Sequence, residues 1–325
     1  MLCGLCGWRR AAADLTLAVM TADERMTAFV TGAAGFLGTE LVRVLRRRGH
    51  RVFGLTRSIE GAERLRRSGA VPVMGDLLES GQWHDEAAAD WVFHLTPHCT
   101  TRGSATAAAR VSMDGRLLDT LGMAATRRIV YVADASYYGA TGSRPITEDR
   151  PPLPFARGRR LMPALTRLDG YIVTGLPVVT AFPGVIYGNG SWLREGVIDP
   201  VMADRRVLRL GSAVAWVSPI HVHDCARALV HLAEHGEAGA RYFLANSQPI
   251  RMRDFALTVA RLLRRRLRLW RLPAPVTRRL ADSALTDYLR GHSLFSNIRL
   301  RGTGFRFAYP TVDDGLREIL EVPHE

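Results

Sequence analysis

Short, almost wholly apolar runs alternate along the first half of the chain with longer segments in which apolar residues recur every three or four positions. The runs are Ala28-Phe29-Val30, Arg51–Leu55, Val71–Met74, Trp91–Leu95, Arg128–Val132 and Pro177–Ala181. A strand exposed on one face would alternate apolar with polar residues. These runs hardly do, so they predict strands buried on both faces, as in a parallel sheet covered by helices. Between them Thr39–Arg48 carries Leu41, Val42, Val44 and Leu45 on one stripe and stops at Gly49. Glu63–Arg67, closed by Gly69, and Val111–Leu121 carry similar helical stripes. Strand and helix in alternation predict an α/β, Rossmann-type doubly wound parallel sheet.

Beyond about residue 185 the pattern loosens. Gly, Pro and Trp become frequent, and amphipathic helices are expected over 224–233 and 254–267. The stretch Arg261–Arg271 holds six arginines among leucines. It reads as the solvated face of a packed helix or, alternatively, as a helix lying on a membrane surface. Residues 1–25 read as an N-terminal extension, disordered or not native, because Met26 directly precedes the first strand signal.

Composition narrows the classes. Apolar residues make up 47% and charged residues 23% of the 325 positions, which is globular. No apolar run reaches the roughly 18 residues of a membrane span. The basic side is unusual, with 44 arginines, no lysine and a net charge of +13. Such a charge admits anionic ligands. The arginines are scattered without the interleaved aromatics of a nucleic-acid reader, and the absence of lysine fits codon bias in a GC-rich genome. Cys3 and Cys6 form a CxxC with no second pair, and Cys99 and Cys225 stand alone. The expectation is reduced thiols in a cytoplasmic protein with no metal, nucleic-acid or membrane partner.

The first strand runs into Thr31-Gly32-Ala33-Ala34-Gly35-Phe36-Leu37-Gly38 and then the first helix. In that context Gly32 permits a tight turn and Gly35 a close backbone approach to a pyrophosphate. Gly38 lets the helix sit close to the strand, and the helix N-terminus offers its amides to the anion. A dinucleotide site is expected there. The second strand ends Leu55-Thr56-Arg57-Ser58. A carboxylate at that point would repel a 2′-phosphate, whereas Arg57 can pair with one. NADPH/NADP+ is therefore the expected cofactor, unless Arg57 is merely a solvated charge.

Several segments together resemble the extended short-chain dehydrogenase/reductase family, also called the NAD-dependent epimerase/dehydratase family. They are TGAAGFLG at 31–38, GDL at 75–77, VFHL at 92–95, VYVADASYYG at 130–139, PGVIYGNG at 183–190, SPIHVHDCARA at 218–228 and GTGFRFAYPTVDDGL at 302–316. The resemblance implies that residues 26–185 bind the dinucleotide. Asp76 and Leu77 would lie by the adenine, Leu95 and Thr96 by the riboses, and Pro183 and Val185 near the nicotinamide. Residues 186–325 would form mainly a smaller substrate-binding lobe, with about 214–245, including His221–Ala228 and the strand Tyr242–Leu244, packing back on the first domain.

The family's chemistry uses a Ser or Thr, a Tyr and a Lys, and here this chain departs. The Ser/Thr position, four before the Tyr of the YG pair, is Asp134. The YxxxK element is Phe155-Ala156-Arg157-Gly158-Arg159, and Phe182 replaces an Arg before Pro183. Phe155 has no ionisable proton and Arg159 does not deprotonate, although Arg159 can still contact a ribose or phosphate. Tyr171 with Gly175 is the nearest substitute and fails at its last position.

No residue is left in the usual catalytic roles. Asp134, Ser136, Tyr137 and Tyr138 are the candidates near a substrate carbonyl. Asp134 is either a substrate-facing carboxylate or a turn cap, and Tyr138 either a donor or a packing residue. His98 is either a surface loop residue or a substrate contact, and Tyr187 and Trp192 either line an aromatic substrate pocket or are ordinary packing residues. His221 and His223 lack a third metal ligand. Loss of the triad is shared with family members that reduce ketones of angucyclinone antibiotics. That likeness implies an NADPH-dependent ketoreductase for a bulky aromatic polyketide, its proton drawn from substrate or water. The protein is expected to be a monomer or homodimer. The alternatives are a non-catalytic dinucleotide sensor or scaffold and a nucleotide-sugar epimerase or dehydratase.

Overall fold

The computed structural model describes residues 25–95, 107–154, 156–208, 215–270 and 292–321. The first half contains β1 (Thr27–Thr31), α1 (Phe36–Arg47), β2 (Arg51–Thr56), α2 (Ile59–Arg67), β3 (Val71–Met74), α3 (Trp83–Ala87), β4 (Trp91–Leu95), α4 (Ala107–Gly122) and β5 (Arg128–Val132). A 3-10 turn at Ala135–Tyr138 leads to α5 (Ala156–Arg159), α6 (Met162–Val173), β6 (Val178–Pro183) and β7 (Val185–Tyr187). Then come α7 (Asp199–Met202), β8 (Val207–Leu208), β9 (Trp216–Val217), β10 (Pro219–His221), α8 (Val222–His235), β11 (Arg241–Leu244) and β12 (Ile250–Arg251). The last elements are α9 (Met252–Leu262), β13 (Leu269–Trp270), α10 (Ile298–Gly302) and α11 (Val312–Leu320).

Seven strands form one parallel sheet in the order β3-β2-β1-β4-β5-β6-β11. Successive strand residues point to opposite faces, and both faces are buried. Val30, Val52, Phe93, Val130, Val179 and Leu244 pack under α1 and α8. Phe29, Phe53, Val92, Ile129, Tyr131 and Phe182 pack under α4 and α6. This double burial is why the strand sequences show so little polar alternation. The doubly wound fold expected from the sequence is the one observed.

A third core joins β7, β9, α9 and α11 through Val185, Tyr187, Val217, Phe255, Val259, Leu316 and Ile319. The chain crosses between the cores repeatedly. After β7 it returns through α8, which packs on α1, and β11, which closes the main sheet. The expected helix over 254–267 ends early. It stops at Leu262, Arg264 takes a left-handed φ of 52°, and the chain then extends into β13. The arginines from Arg264 onward therefore lie off the helix, and the membrane-surface helix has no counterpart among the described residues. No described helix is long and apolar enough to cross a membrane.

Two buried carboxylates hold the returning segments. Asp224 in α8 is fully buried. Its Oδ1 accepts from the Ala308 amide at 2.7 Å and from Arg227 at 2.8 Å, and its Oδ2 accepts from the Tyr309 amide at 2.7 Å. Glu148 Oε1 accepts from the Phe243 amide at 2.7 Å, tying the loop after β5 to β11. Replacing Asp224 with Ala would strand two amides and a guanidinium. Each unsatisfied donor costs about 1–3 kcal/mol. Asp224→Ala is therefore expected to lower the unfolding free energy by about 1–3 kcal/mol, read as a shift in the guanidinium midpoint with the slope unchanged.

Candidate dinucleotide and carbonyl site

The strand order reverses between β1 and β4, and a crevice opens at their C-terminal ends. Gly32 turns there with φ 67°, and a methyl group at this position would lie 2.8 Å from the Leu95 carbonyl oxygen. A methyl at Gly38 would lie 2.2 Å from the Gly32 carbonyl oxygen and 2.7 Å from Ala33 Cα, and one at Gly35 would lie 3.2 Å from the same Gly32 oxygen. Gly38 therefore admits the turn itself, rather than strand β1, against α1. Leu37 is buried beneath the helix, and Phe36 lies against the Gly188–Gly190 loop. No side chain caps α1 and no acidic residue stands in its first turn. Its leading amides and positive dipole end suit a pyrophosphate, so the cradle fits the dinucleotide expected from the sequence.

Behind the cradle lies a buried polar chain that sequence reading missed. Thr31 Oγ1 meets His94 Nδ1 at 2.8 Å, and His94 Nε2 meets Asp114 Oδ1 at 3.0 Å. The Tyr131 hydroxyl donates to Asp114 Oδ2, and Arg110 Nε lies 3.8 Å from that oxygen. Burial works to raise the Asp114 carboxyl, but His94, Arg110 and Tyr131 outweigh it and hold it below the ordinary carboxylate range. Burial, with Asp114 beside it, pushes the Tyr131 hydroxyl far up. Asp114 and Arg110 on α4 have helical spacing, i and i+4, but a polar pair facing a sheet is read from sequence as solvent-facing.

At the adenosine end Arg57 follows β2 and is 74% exposed at its side chain, with Nη1 3.3 Å from Asp76 Oδ2. Asp76 Oδ1 accepts from the Leu78 amide at 3.0 Å, and Leu77 is buried below. Ser58 caps α2 by accepting from the Gly61 amide at 3.0 Å. Leu95 borders the crevice, and Pro183 and Val185 are buried at the β6–β7 corner. Thr96 and His98 lie outside the described residues.

At the other end Asp134 follows β5. Its Oδ1 accepts from the Ser136 amide at 2.8 Å, so one carboxylate oxygen does cap the 3-10 turn. The Ser136 hydroxyl is buried with no hydrogen-bond partner among the described residues. A methyl at Gly158 would lie 2.1 Å from the Ser136 carbonyl oxygen, so α5 is pressed onto this turn and the FxxxR element runs beside Ser136. Phe155 itself lies outside the described residues. Arg159 is exposed at the end of α5.

Two candidates lie in the core. Tyr138 is fully buried among Tyr137, Phe182 and Phe243, and its hydroxyl donates to the Glu148 carbonyl at 3.1 Å. Burial pushes that hydroxyl up to about 12, which makes it a poor proton donor. Tyr187 is fully buried between His221, Phe255 and α11, where Gly315 makes room for its ring, so it lines no open pocket. Tyr137 is buried, stacked on Phe182 at 5.9 Å. Phe182, at the family's Arg position, thus belongs to an aromatic core. Trp192 is half-buried on the third core. Tyr171 is bound to Asp119 and Arg167 on the outer face of α4 and α6. His221 caps α8, with Nε2 3.3 Å from Glu318, and His223 meets Glu40 at 2.7 Å. Cys225 is buried, and burial pushes its thiol far up. Cys3, Cys6 and Cys99 lie outside the described residues.

The cradle generates a direct test. Gly38→Ala places a methyl inside van der Waals contact of backbone that cannot move without displacing Gly32. Dinucleotide affinity, measured by cofactor fluorescence titration, is expected to fall at least about tenfold, a loss of about 1.4 kcal/mol.

Comparison with known proteins agrees with this geometry. Residues 28–245 match the profile of the NAD dependent epimerase/dehydratase family. A ketoreductase of 4-hydroxy-2-methyl-3-oxo-4-farnesyl-3,4-dihydroquinoline-1-oxide from Stigmatella aurantiaca is 27% identical over 245 residues, covering 71% of this chain and 71% of that protein. A 3-beta-hydroxysteroid dehydrogenase from Mycolicibacterium neoaurum is 25% identical over 256 residues, covering 71% and 68%. The structure of UDP-glucuronic acid 4-epimerase from Bacillus cereus, in complex with UDP-glucuronic acid and NAD, superposes with a TM-score of 0.77. It shares 16% identity and covers 91% of this chain and 98% of that one. With its matched profile spanning most of the chain, its seven-stranded parallel sheet and its glycine cradle at the β1–β4 crevice, this protein belongs to the NAD-dependent epimerase/dehydratase family.

Proposed function

We propose that the protein is an NADPH-dependent ketoreductase for a ketone on a bulky aromatic, angucyclinone-like polyketide, similar to the simocyclinone C7-ketoreductase. A single observation supports this above others. The only buried hydroxyl at the carbonyl end without a partner is that of Ser136 among the described residues, in a chain that has no lysine and places Phe155 where a tyrosine acid stands in the family. The ketoreductase and dehydrogenase relatives make carbonyl reduction a chemistry that this sequence lineage carries.

When bound, the dinucleotide supplies the hydride that reduces the carbonyl carbon. The residues of this chain bind and orient. The glycine cradle holds the pyrophosphate, and Arg57 is placed to pair with a 2′-phosphate, exchanging or sharing its contact with Asp76. Ser136 can donate a hydrogen bond to the carbonyl oxygen, polarising it and holding the developing alkoxide. Phe155 serves as an apolar wall. The proton comes from a phenol beside the ketone or from water, so no tyrosinate or ammonium is needed. Orientation of this kind can supply several kcal/mol of barrier reduction. An epimerase would have to remove a proton from a sugar hydroxyl, and Phe155 stands where the family's tyrosine for that task is expected.

Two measurements test this reading. Arg57→Ala should raise KM for NADPH about tenfold and leave NADH nearly unchanged, because a charge-assisted contact to the 2′-phosphate is worth about 1.5–3 kcal/mol. Equal effects on both cofactors would remove Arg57 from 2′-phosphate recognition. Phe155→Tyr should change kcat on an aromatic ketone with a neighbouring phenol by less than about threefold, under ~1 kcal/mol. A large gain would mean that the native enzyme lacks an acid it needs. Absence of turnover with every aromatic ketone, despite tight cofactor binding, would favour a sensor.

A further inference from the structure

We propose that His231, Glu234 and His235, on the last turns of α8, form a surface site for a divalent transition metal such as zinc. They stand at i, i+3 and i+4, and one ligand atom from each lies within 4.8 Å of the other two. The site is remote from the cradle in the chain's chemistry. Neither the cofactor nor the carbonyl reading uses it.

The hydrogen bonds leave each residue a ligand atom. His231 Nε2 meets the Thr303 carbonyl at 3.2 Å and Thr303 Oγ1 at 2.8 Å. A carbonyl can only accept, and Thr303 Oγ1 already donates to the Leu300 carbonyl at 2.6 Å. His231 must therefore carry its proton on Nε2, which leaves the Nδ1 lone pair for a metal. A ring N–H donated to a carbonyl is the support that metal-bound imidazoles ordinarily have. Glu234 is divided in the same way. Its Oε1 accepts from Arg48 at 2.8 Å, while its Oε2 turns to His235 Nε2 at 3.7 Å. The two rings lie 4.5 Å apart between centroids.

The electrostatics agree. The cluster sits at the carbonyl end of a long helix, where the backbone dipole favours a cation. Two imidazoles and one carboxylate suit zinc, nickel or copper rather than calcium or magnesium. His235 and Glu234 are exposed, leaving the fourth position to water. Because Thr303 follows α10 and Arg48 follows α1, an ion here would fasten α8 to both neighbours.

The full chain, freed of metal by chelator, would be titrated with zinc by calorimetry and with cobalt(II) by absorption. One equivalent should bind, with a cobalt spectrum of nitrogen and oxygen ligands. His231→Ala and His235→Gln should each weaken binding at least about tenfold, and Thr303→Val by less. Zinc should raise the Tm of the native protein and leave that of the His231→Ala/His235→Gln variant unmoved. Melting without metal reports whether the variants fold, and the exposed His235→Gln alone suffices if the others do not. No binding, binding retained in the double variant, or a thiolate charge-transfer band placing cobalt on Cys3 and Cys6 would each overturn the site.

Discussion

The site exists because α1 begins hard against the turn that precedes it. With only 2.2 Å between a would-be Cβ at Gly38 and the Gly32 carbonyl oxygen, any side chain there would push the helix away. The same turn is pinned from the other side, since Gly32 cannot carry a side chain beneath the Leu95 carbonyl. Two close approaches thus fix the end of β1, the end of β4 and the start of α1 as one rigid group. Its open side is the uncapped helix terminus. Thr31, the residue just before the turn, is itself held by His94, and His94 by Asp114. The cradle therefore stands on a buried charged chain as well as on glycine packing.

Buried carboxylates tie the later segments to the sheet, beside apolar contacts such as those of Leu300 and Phe305 in the first core. Asp224 gathers the amides of Ala308 and Tyr309, and Glu148 the amide of Phe243. Ionised oxygens accepting backbone N–H bonds are among the stronger hydrogen bonds available. Burial raises the Glu148 carboxyl above its ordinary value, with Phe243 and Arg299 pulling it back. The loop between β5 and α5, which carries the carbonyl end of the site, is thereby tied to the far edge of the sheet.

What was legible in the sequence follows from which signals are local. The six strands and the first helices could be read because a doubly covered sheet makes near-continuous apolar runs, and the glycine turn because backbone geometry allows no other residue. Helix α6 was not read. It is apolar on more than one side, holds Gly170 within it and begins at a proline, so its stripe is blurred. Helix α11 carried a capping box, Thr311 with Asp314, which sequence reading did not use. The end of α9 was misplaced because arginine and leucine continue the helical rhythm past the point where Arg264 turns left-handed. For Tyr138 and Tyr187 the sequence leaves a site role open beside packing, and only the fold shows that their rings lie in the core. The Thr31–His94–Asp114 chain is non-local in every link and had no sequence signal.

The absence of lysine bears on what chemistry the crevice can hold. Arginine replaces lysine well where the task is to pair with phosphate or carboxylate, and Arg57, Arg110 and Arg227 all do so or stand ready to. It is a poorer substitute where a compact ammonium on a flexible stem must fit between a tyrosine hydroxyl and a ribose, because the guanidinium is a larger, planar fork. Three buried tyrosines, Tyr131, Tyr138 and Tyr187, are shifted upward by burial, away from proton transfer. In the proposed reaction the substrate brings its own acidic hydroxyl to the carbonyl. The demand on the protein is then to hold two reactants in register, and the glycine cradle, standing on the Thr31–His94–Asp114 chain, is built to fix one of them.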